Sequence, residues 1–347
     1  MDGIVDSGWN LIRDGSEIIA IKSWNTALGF AIIRPSFQPM VLVMWFKNLR
    51  IYLLQQPFNL TQEALAARLE SKRFQPCGSL ELSGLGWDAP LGRNAEALVH
   101  EVGGCQMICA RREEKLLPAA VVNEILQEKV DQIQQEEGRK VGRKERSELR
   151  DEIFHQLLPK AFSRYTRHYA MIDKQQGWIV VDAASANRAE ALISLLRESL
   201  GSLPAKPLDV TVSPPHVMTE WLRHPDRYGD FTLLDSCELQ DRSDEASMLR
   251  CKGQDLSAAE MMAHIEAGKE VVKLAVEWDQ RLSCQIDGDI SIKRLKFLDL
   301  IQEQAADQQI ESEADAFDGR FTLMSLEFRR FLPRLFEVFG GVAANED

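Results

Sequence analysis

The order of local patterns across residues 105–167 constrains the fold more than any other stretch. CQMICAR reads as a strand, REEK as a charged turn, residues 118–158 as a long helical arm, and LLPKAFSRYTR as a basic, aromatic exit. Cations concentrate here. In RKVGRKERSELR, Arg139, Lys140, Arg143, Lys144, Arg146 and Arg150 face only Glu145 and Glu148, although the chain holds 53 acidic residues against 41 Lys and Arg, a formal net charge of −12. A basic surface on an acidic chain points to a polyanion bound at one place, because the remaining surface repels it. A solvated helix laced with ion pairs fits the same residues.

At 347 residues the chain predicts about two domains with room for buried cores. Six unevenly spaced cysteines and no secretory leader point to reduced cytosolic thiols. Cys105 and Cys109 would share a strand face, but no second pair at zinc-like spacing follows. The apolar run at 27–43 is broken by Arg34, Pro35 and Pro39, too early for a membrane span, and Asp2, Asp6 and Asp14 are the wrong flank for a signal peptide. Residues 1–43 read as an upstream extension outside the fold, or as an amino-terminal arm.

From Met44 onward, WFKNLRIYLL suggests a strand, and Asn59 or Thr61 a cap for the helix TQEALAARLESKRF. FQPCGSLELSGLGWDAPLG reads as short strands and turns, and ALVHEVGGCQMICAR as a strand. HYAMIDKQQGWIVVDAA reads as a hairpin turning at 175–177, and SANRAEALISLLRESLG as a helix capped by Ser185 and ended by Gly201. A second helix starts at Thr219. Thr61, Phe74, Glu81 and Leu82 recur in order as Thr219, Phe231, Glu238 and Leu239, and LLPAAVVNEI resembles DLSAAEMMAHI, so two copies of one α/β unit would flank the arm; short apolar patterns also recur by coincidence. AAEMMAHIEAGKEVVKLAVEWDQ reads as an amphipathic helix. It precedes the strand RLSCQID, a turn at Gly288 and the strand ISIKRLKF. An acidic loop at 311–318 then leads into the helix TLMSLEFRRFLPRLFEVF, kinked or in its last turn at Pro333, with Leu323, Leu326, Phe331, Leu335 and Phe339 packed in a core or dimer contact.

No phosphate loop, zinc-protease pair, nucleophile elbow or dinucleotide fingerprint is present, which argues against an enzyme. Asp287 and Asp289, with Glu311, Glu313 and Asp315, could hold magnesium for phosphodiester cleavage, or form a turn beside a solvated loop. Phosphate-contact chemistry accumulates instead. Arg111, Arg112 and Lys115 cluster at a strand end. Lys160, Arg164 and Arg167 flank Phe162, Tyr165 and Tyr169, and Lys293, Arg294 and Lys296 follow each other on a strand. Such clusters suit backbone contact, with affinity falling as salt rises and no sequence preference. Each also fits an ordinary cationic surface.

Eight blocks in order, MWFKNLRIYLL, FQPCGS, GW at 86–87, ICARREEKLLP, LLPKAFSR, LRESLGSLP, HIEAGK and IKRLKF, resemble the RdgC family of recombination-associated proteins from Met44 to the carboxy terminus. The resemblance implies a mixed α+β fold in which horseshoe-shaped subunits close into a ring-shaped dimer around duplex DNA. The two related α/β halves would be residues 44–117 and 168–300, with the arm and its basic exit at 118–167 and a helical segment at 301–347. It implies no enzyme activity and no cofactor. The expected partners are double- and single-stranded DNA without sequence preference and a second copy of the chain, with antagonism of RecA and a role in replication-fork repair. The expected location is cytoplasmic, on the nucleoid, with no membrane contact. Arg111, Arg112, Lys115, Lys160, Arg164, Lys293, Arg294 and Lys296 become the leading DNA contacts. Arg167 and the arm's Arg139, Lys140, Arg143 and Lys144 are further ones, and Phe162 becomes the contact that closes the ring. A protein-binding scaffold and a metal-dependent nuclease are the competing readings.

Overall fold

The computed structural model describes residues 9–14, 17–22, 45–92, 95–243, 247–306 and 312–343. The chain divides into two units, Met1–Val43 and Met44–Asp347. In the first, β1 (Trp9–Asp14) and β2 (Glu17–Lys22) pair antiparallel. The apolar run at 27–43 lies outside the described residues. Among the described residues no helix is long and apolar enough to cross a membrane.

The second unit follows the order β3 (Leu49–Leu54), α1 (Gln62–Leu69), β4 (Ser83–Asp88), β5 (Val99–Val102), β6 (Cys105–Leu116), α2 (Ala119–Glu137), α3 (Arg143–Leu157), β7 (Phe162–Asp173), β8 (Trp178–Asp182) and α4 (Ala186–Leu200). It continues with β9 (Ala205–Pro207), α5 (Pro214–Arg223), β10 (Phe231–Asp241), β11 (Met248–Lys252), α6 (Ala259–Glu266), β12 (Lys269–Trp278), β13 (Leu282–Asp287), β14 (Ile292–Phe297), α7 (Asp299–Ala306) and α8 (Glu313–Val338). The fold is mixed α and β. Its strands form one antiparallel sheet of 12, ordered β11-β10-β12-β13-β14-β3-β8-β7-β6-β4, with β5 on β6 and β9 on β3.

The sheet buries both faces unequally. On one, Phe321, Phe328, Phe331 and Leu335 of α8 and Phe339 just after it join Leu49, Ile51, Met107, Val180, Leu274, Ile286 and Ile292 in a single core. On the other, Leu65 and Leu69 of α1 and Leu192, Ile193 and Leu196 of α4 cover Ile108, Ala110, Ile172 and Val181, which belong to β6, β7 and β8. Strand alternation produces this division, since successive side chains point to opposite sides. Gly86 is needed where β4 passes the preceding segment, because a Cβ there would stand 2.5 Å from Phe74 Cα. Next to it, Trp87 is fully buried and its indole N–H donates to Ser199 Oγ at 2.8 Å.

Several expected elements stand where the patterns put them. Thr61 Oγ1 accepts from Ala64 N at 3.2 Å and caps α1, Gly201 ends α4 at φ +79°, and the β7–β8 turn includes Gly177 at φ +70°. Others differ. The arm is two helices, because Gly138, at φ +64°, ends α2, and Gly142 precedes α3; Val122, Leu126, Val130 and Ile153 form its own small core. REEK is no turn but part of the long β6–β7 ladder, and the basic exit runs from the end of α3 through a 3-10 turn at 158–160 into β7. ALVHEVGGCQMICAR is two strands joined through Gly103 and Gly104, both at positive φ.

The amphipathic helix expected at 258–280 is α6 followed by β12. Gly268, at φ +93°, breaks the helix, and Val271, Leu274, Val276 and Trp278 enter the core as strand residues. The acidic loop is largely the start of α8, where Ser312 Oγ accepts from Asp315 N at 3.1 Å and carboxylates favour the helix dipole. Glu311 and the side chain of Glu313 lie outside what the structure describes. The helix runs through Pro333 to Val338; Leu326 faces outward, 44% exposed, and Leu323 is half-buried. The element order α1, β4, β6, β7, β8 recurs as α5, β10, β12, β13, β14, but the residues matched between the two do not correspond. Thr61 caps its helix, whereas Thr219 is buried inside α5, its hydroxyl donating to Pro215 O and accepting from Val271 N. The helix α2 lies between β6 and β7, and α6 lies before β12.

Candidate nucleic-acid interface

The β6–β7 ladder decides which cations can act together. Arg111 pairs with Arg167, Glu113 with Tyr165 and Lys115 with Ser163; between them, Arg112 pairs with Thr166, Glu114 with Arg164 and Leu116 with Phe162. Partners in an antiparallel ladder project to one side and their neighbours to the other. Arg111, Lys115 and Arg167 therefore share the α8 side, and Arg112, Arg164 and Phe162 the opposite side. The cluster Arg111, Arg112, Lys115 expected from the sequence is thus split in two.

On the α8 side the guanidinium groups are spent on the protein. Arg167 donates to Asp88 Oδ2 at 2.8 Å, with Arg111 3.9 Å from the same oxygen. Arg111 also lies 4.6 Å from the Phe74 ring centroid and 4.5 Å from that of Tyr165, a cation held between two aromatic faces. Glu113 is buried below them and accepts from Cys77 N at 2.8 Å and Tyr165 Oη at 3.2 Å. Hydrogen bonds from Ser163 and the Cys77 amide hold its carboxyl below the ordinary range.

The opposite side carries more cation than anion. Arg112 Nε donates to Glu114 at 2.8 Å and Arg164 to the same carboxylate at 2.5 Å, so one acid answers two guanidiniums. The Arg164 bond is the main reason the Glu114 carboxyl lies below its usual value. His168, beside Thr166 at 3.2 Å, is pushed toward the neutral form by burial, then by Arg188 and Arg112. Arg188 is absent from the clusters that the sequence suggests. Its signal is its place in the first turn of α4, where the helix dipole favours an acid and an exposed cation has no structural reason to stand. Among the described residues, Lys115, Lys160 and Arg188 have no ion-pair partner.

Phe162 is 84% exposed and lies across the ladder from Leu116, 46% exposed; Leu82, 51% exposed, is beside them, its carbonyl accepting from Lys115 N at 2.8 Å. This is an apolar patch at the end of a strand ladder, unlike scattered surface leucines.

On β14, alternation would send Lys293 and Lys296 to opposite sides. A register shift between Ser283 and Gln285, with Arg294 at φ +53°, inserts an extra residue, so Lys293 pairs with Gln285 and Lys296 with Ser283. Both therefore face away from the α8 core, on the side that also carries Arg112 and Arg164. Lys293 is bound by Asp287, while Arg294 and Lys296 are exposed without an anion among the described residues. Asp289 accepts from Arg50 at 2.8 Å and from Ser291, so the Asp287 and Asp289 carboxylates at the centre of the expected metal group already face cations.

At the arm, Arg139 is forked onto Glu145 and reaches Glu137 at 2.6 Å, as an ion-paired helix would have it. Lys140 and Arg143 are exposed, and Lys144, 93% exposed, is 3.9 Å from Glu148. Cys105 and Cys109 are buried free thiols, with burial pushing Cys109 up to about 12.

A sequence model for the family described as "Putative exonuclease, RdgC" matches residues 44–342. Proteins named "Recombination-associated protein RdgC" are similar over most of the chain. That of Pseudomonas aeruginosa is 46% identical over 299 residues, covering 86% of this chain and 98% of the relative. That of Aeromonas hydrophila is 44% identical over 298 residues (86% and 98%), and that of Tolumonas auensis 43% over 301 residues (87% and 100%).

Proposed function

The chain belongs to the RdgC family, and on that premise we propose that it is a DNA-binding protein without sequence preference that acts in recombination and performs no catalysis. Two copies close into a ring around duplex DNA, bind single strands as well, and restrain RecA by occupying its substrate, including at stalled replication forks. The protein works in the cytoplasm on the nucleoid. Residues 44–117 and 168–300 are the two halves of the horseshoe, 118–167 the arm with its exit, and 301–347 the terminal helical segment; residues 1–43 are an extension outside it.

The observation that carries the reading is the placing of Arg112, Arg164, Arg188 and Lys296 on one side of the sheet of an otherwise acidic protein, with Lys293, held by Asp287, on that side too. Phosphates are the ligand that such a surface suits. Phe162 and Leu116 supply the apolar contact that closes the ring. Lys160, Arg294 and the arm's Lys140, Arg143 and Lys144 extend the contact, whereas Arg111, Arg167 and Arg139 are committed to internal partners and contribute little. Duplex affinity measured against salt on two unrelated sequences tests this. The expected result is equal affinity for both and a log–log slope of about −0.9 for each phosphate neutralised. Binding that ignores salt, or that prefers one sequence, would sink it.

A nuclease is the second reading, favoured by the "putative exonuclease" description of the family. It requires magnesium-dependent cleavage that disappears in Asp287→Asn and Asp289→Asn.

A further inference from the structure

The cysteines of this chain are not equivalent. Cys105 stands opposite Asp173 in the β6–β7 ladder, Cys109 opposite Tyr169, and Cys284 opposite Val276. Cys237 of β10, however, stands directly opposite Cys251 of β11. Directly opposed residues of an antiparallel pair have Cα atoms about 4.5 or 5.5 Å apart and side chains on the same side. Both separations fall within the roughly 4.4–6.8 Å that a disulfide spans. The packing agrees, because Cys237 lies in the main core and Cys251 is half-buried against the same cluster. Cys251 Sγ also lies 3.6 Å from the Met261 Sδ of α6, so its thiol is turned inward along the sheet face.

We propose that Cys237 and Cys251 are an oxidation site that closes reversibly into an intramolecular disulfide when the protein meets a hydroperoxide. The reacting order follows from access. Cys237 is 3% exposed, and burial first, then the neighbouring Cys251, pushes its thiol up to about 12, whereas Cys251 reaches solvent. Cys251 sulfur attacks the outer peroxide oxygen. An S–O bond forms, the O–O bond breaks, and the alkoxide leaves as an alcohol with the thiol proton. Cys237 sulfur then attacks the sulfenic sulfur of Cys251. The S–S bond forms, the S–O bond breaks, and hydroxide departs as water with the proton of Cys237. Two thiols and one hydroperoxide become one disulfide, one alcohol and one water, and the two electrons come from the sulfur pair. A dithiol reverses the reaction.

The site lies at the end of the sheet order, where β11 has β10 as its only strand partner among the described residues. The disulfide is a covalent clip on an edge otherwise held by one ladder. It stands apart from the cation-bearing ladder and does not rest on the DNA-binding reading.

The full chain, treated with tert-butyl hydroperoxide, denatured, alkylated with iodoacetamide and mapped by mass spectrometry, tests the proposal. The expected product is a Cys237–Cys251 linked peptide two hydrogens lighter than the reduced pair. Alkylation of both residues falls in equal proportion and is restored by dithiothreitol. In Cys237→Ser, Cys251 is instead captured by dimedone as the sulfenic adduct, and in Cys251→Ser, Cys237 stays unreacted. In the oxidised protein the amides of β11 exchange hydrogen more slowly. Full alkylation of both cysteines after peroxide overturns the proposal, as does a link from Cys251 to any other cysteine or to a second chain.

Discussion

Arg111 and Arg112 are adjacent in sequence and opposite in fate. Arg111, with Arg167, closes on Asp88 between two aromatic rings, and the two side chains are 24% and 20% exposed. Arg112, with Arg164, shares Glu114, and these two are 34% and 55% exposed, with Arg188 nearby and no second acid paired to them among the described residues. A step of one residue along a strand separates a cation held between aromatic rings from one on the opposite, more exposed side of the ladder. Counting arginines in a window cannot see this; the ladder can.

The contrast is open to direct attack. Replacing Arg112, Arg164 and Arg188 together by alanine should weaken duplex binding roughly 100-fold at about 0.1 M salt and make the slope shallower by about 0.9 for each phosphate no longer neutralised. Folding stability should barely change, and an unaltered slope in a salt titration would assign phosphate contact to other residues. Arg111→Ala should do the reverse. Without the cation between its two rings the protein should be about 1–2 kcal/mol less stable, with a lower urea midpoint and the salt slope as it was.

His168 sharpens the comparison by pH. Its folded pKa is depressed, first by burial and then by Arg188 and Arg112. The folded protein thus binds fewer protons than the unfolded chain, so this contribution is whole above the unfolded pKa of about 6.5 and drains away as pH falls toward the folded value. The difference in urea midpoint between the parent and His168→Gln, followed between about pH 8 and pH 5, should move in that direction. No such trend should distinguish Arg111→Ala from the parent. Arg139→Ala should show the smallest effect, no resolvable change in urea midpoint or salt slope, because a surface ion pair at the arm holds nothing else in place.

Local chemistry made much of the fold legible. Thr61 before an amphipathic run, Gly201 after one and Gly177 between two apolar strands each specify backbone geometry within a few residues. Failures came where a pattern served two periods. In 258–280, Ala, Met, Glu and Lys favour a helix on both sides of Gly268, and the irregular β10–β12 register hides the alternation of Val271, Leu274 and Val276. In the arm, helix-forming residues continue on both sides of Gly138 and Gly142, and that continuity masks the break between them. Of the interface, the cations were legible as a set, and the family blocks pointed to DNA. Which of them are free was not legible, because Asp88 lies 23 residues before Arg111 and Glu114 serves an arginine 50 residues away. Lys293 and Lys296 share a side only through a bulge that no composition announces.

Two strand groups meet at β3, and the meeting is thin. β14 joins β3 through the single ladder pair Ile292 and Leu49 and one further backbone bond, from Leu295 N to Lys47 O at 2.9 Å, whereas β6 and β7 are paired along twelve residues. Across that seam α8 fastens to both groups. Arg329 forks onto the buried Asp173 of β7, and Glu327 takes Arg281, which lies between β12 and β13. In mechanical terms the sheet is a book with a thinly stitched spine and a splint glued across both covers. A load that pries the covers apart is carried by the splint, so the flexural stiffness of the sheet resides in one helix and its arginine rivets, the third being Arg334 on Asp230 ahead of β10 at 2.8 Å.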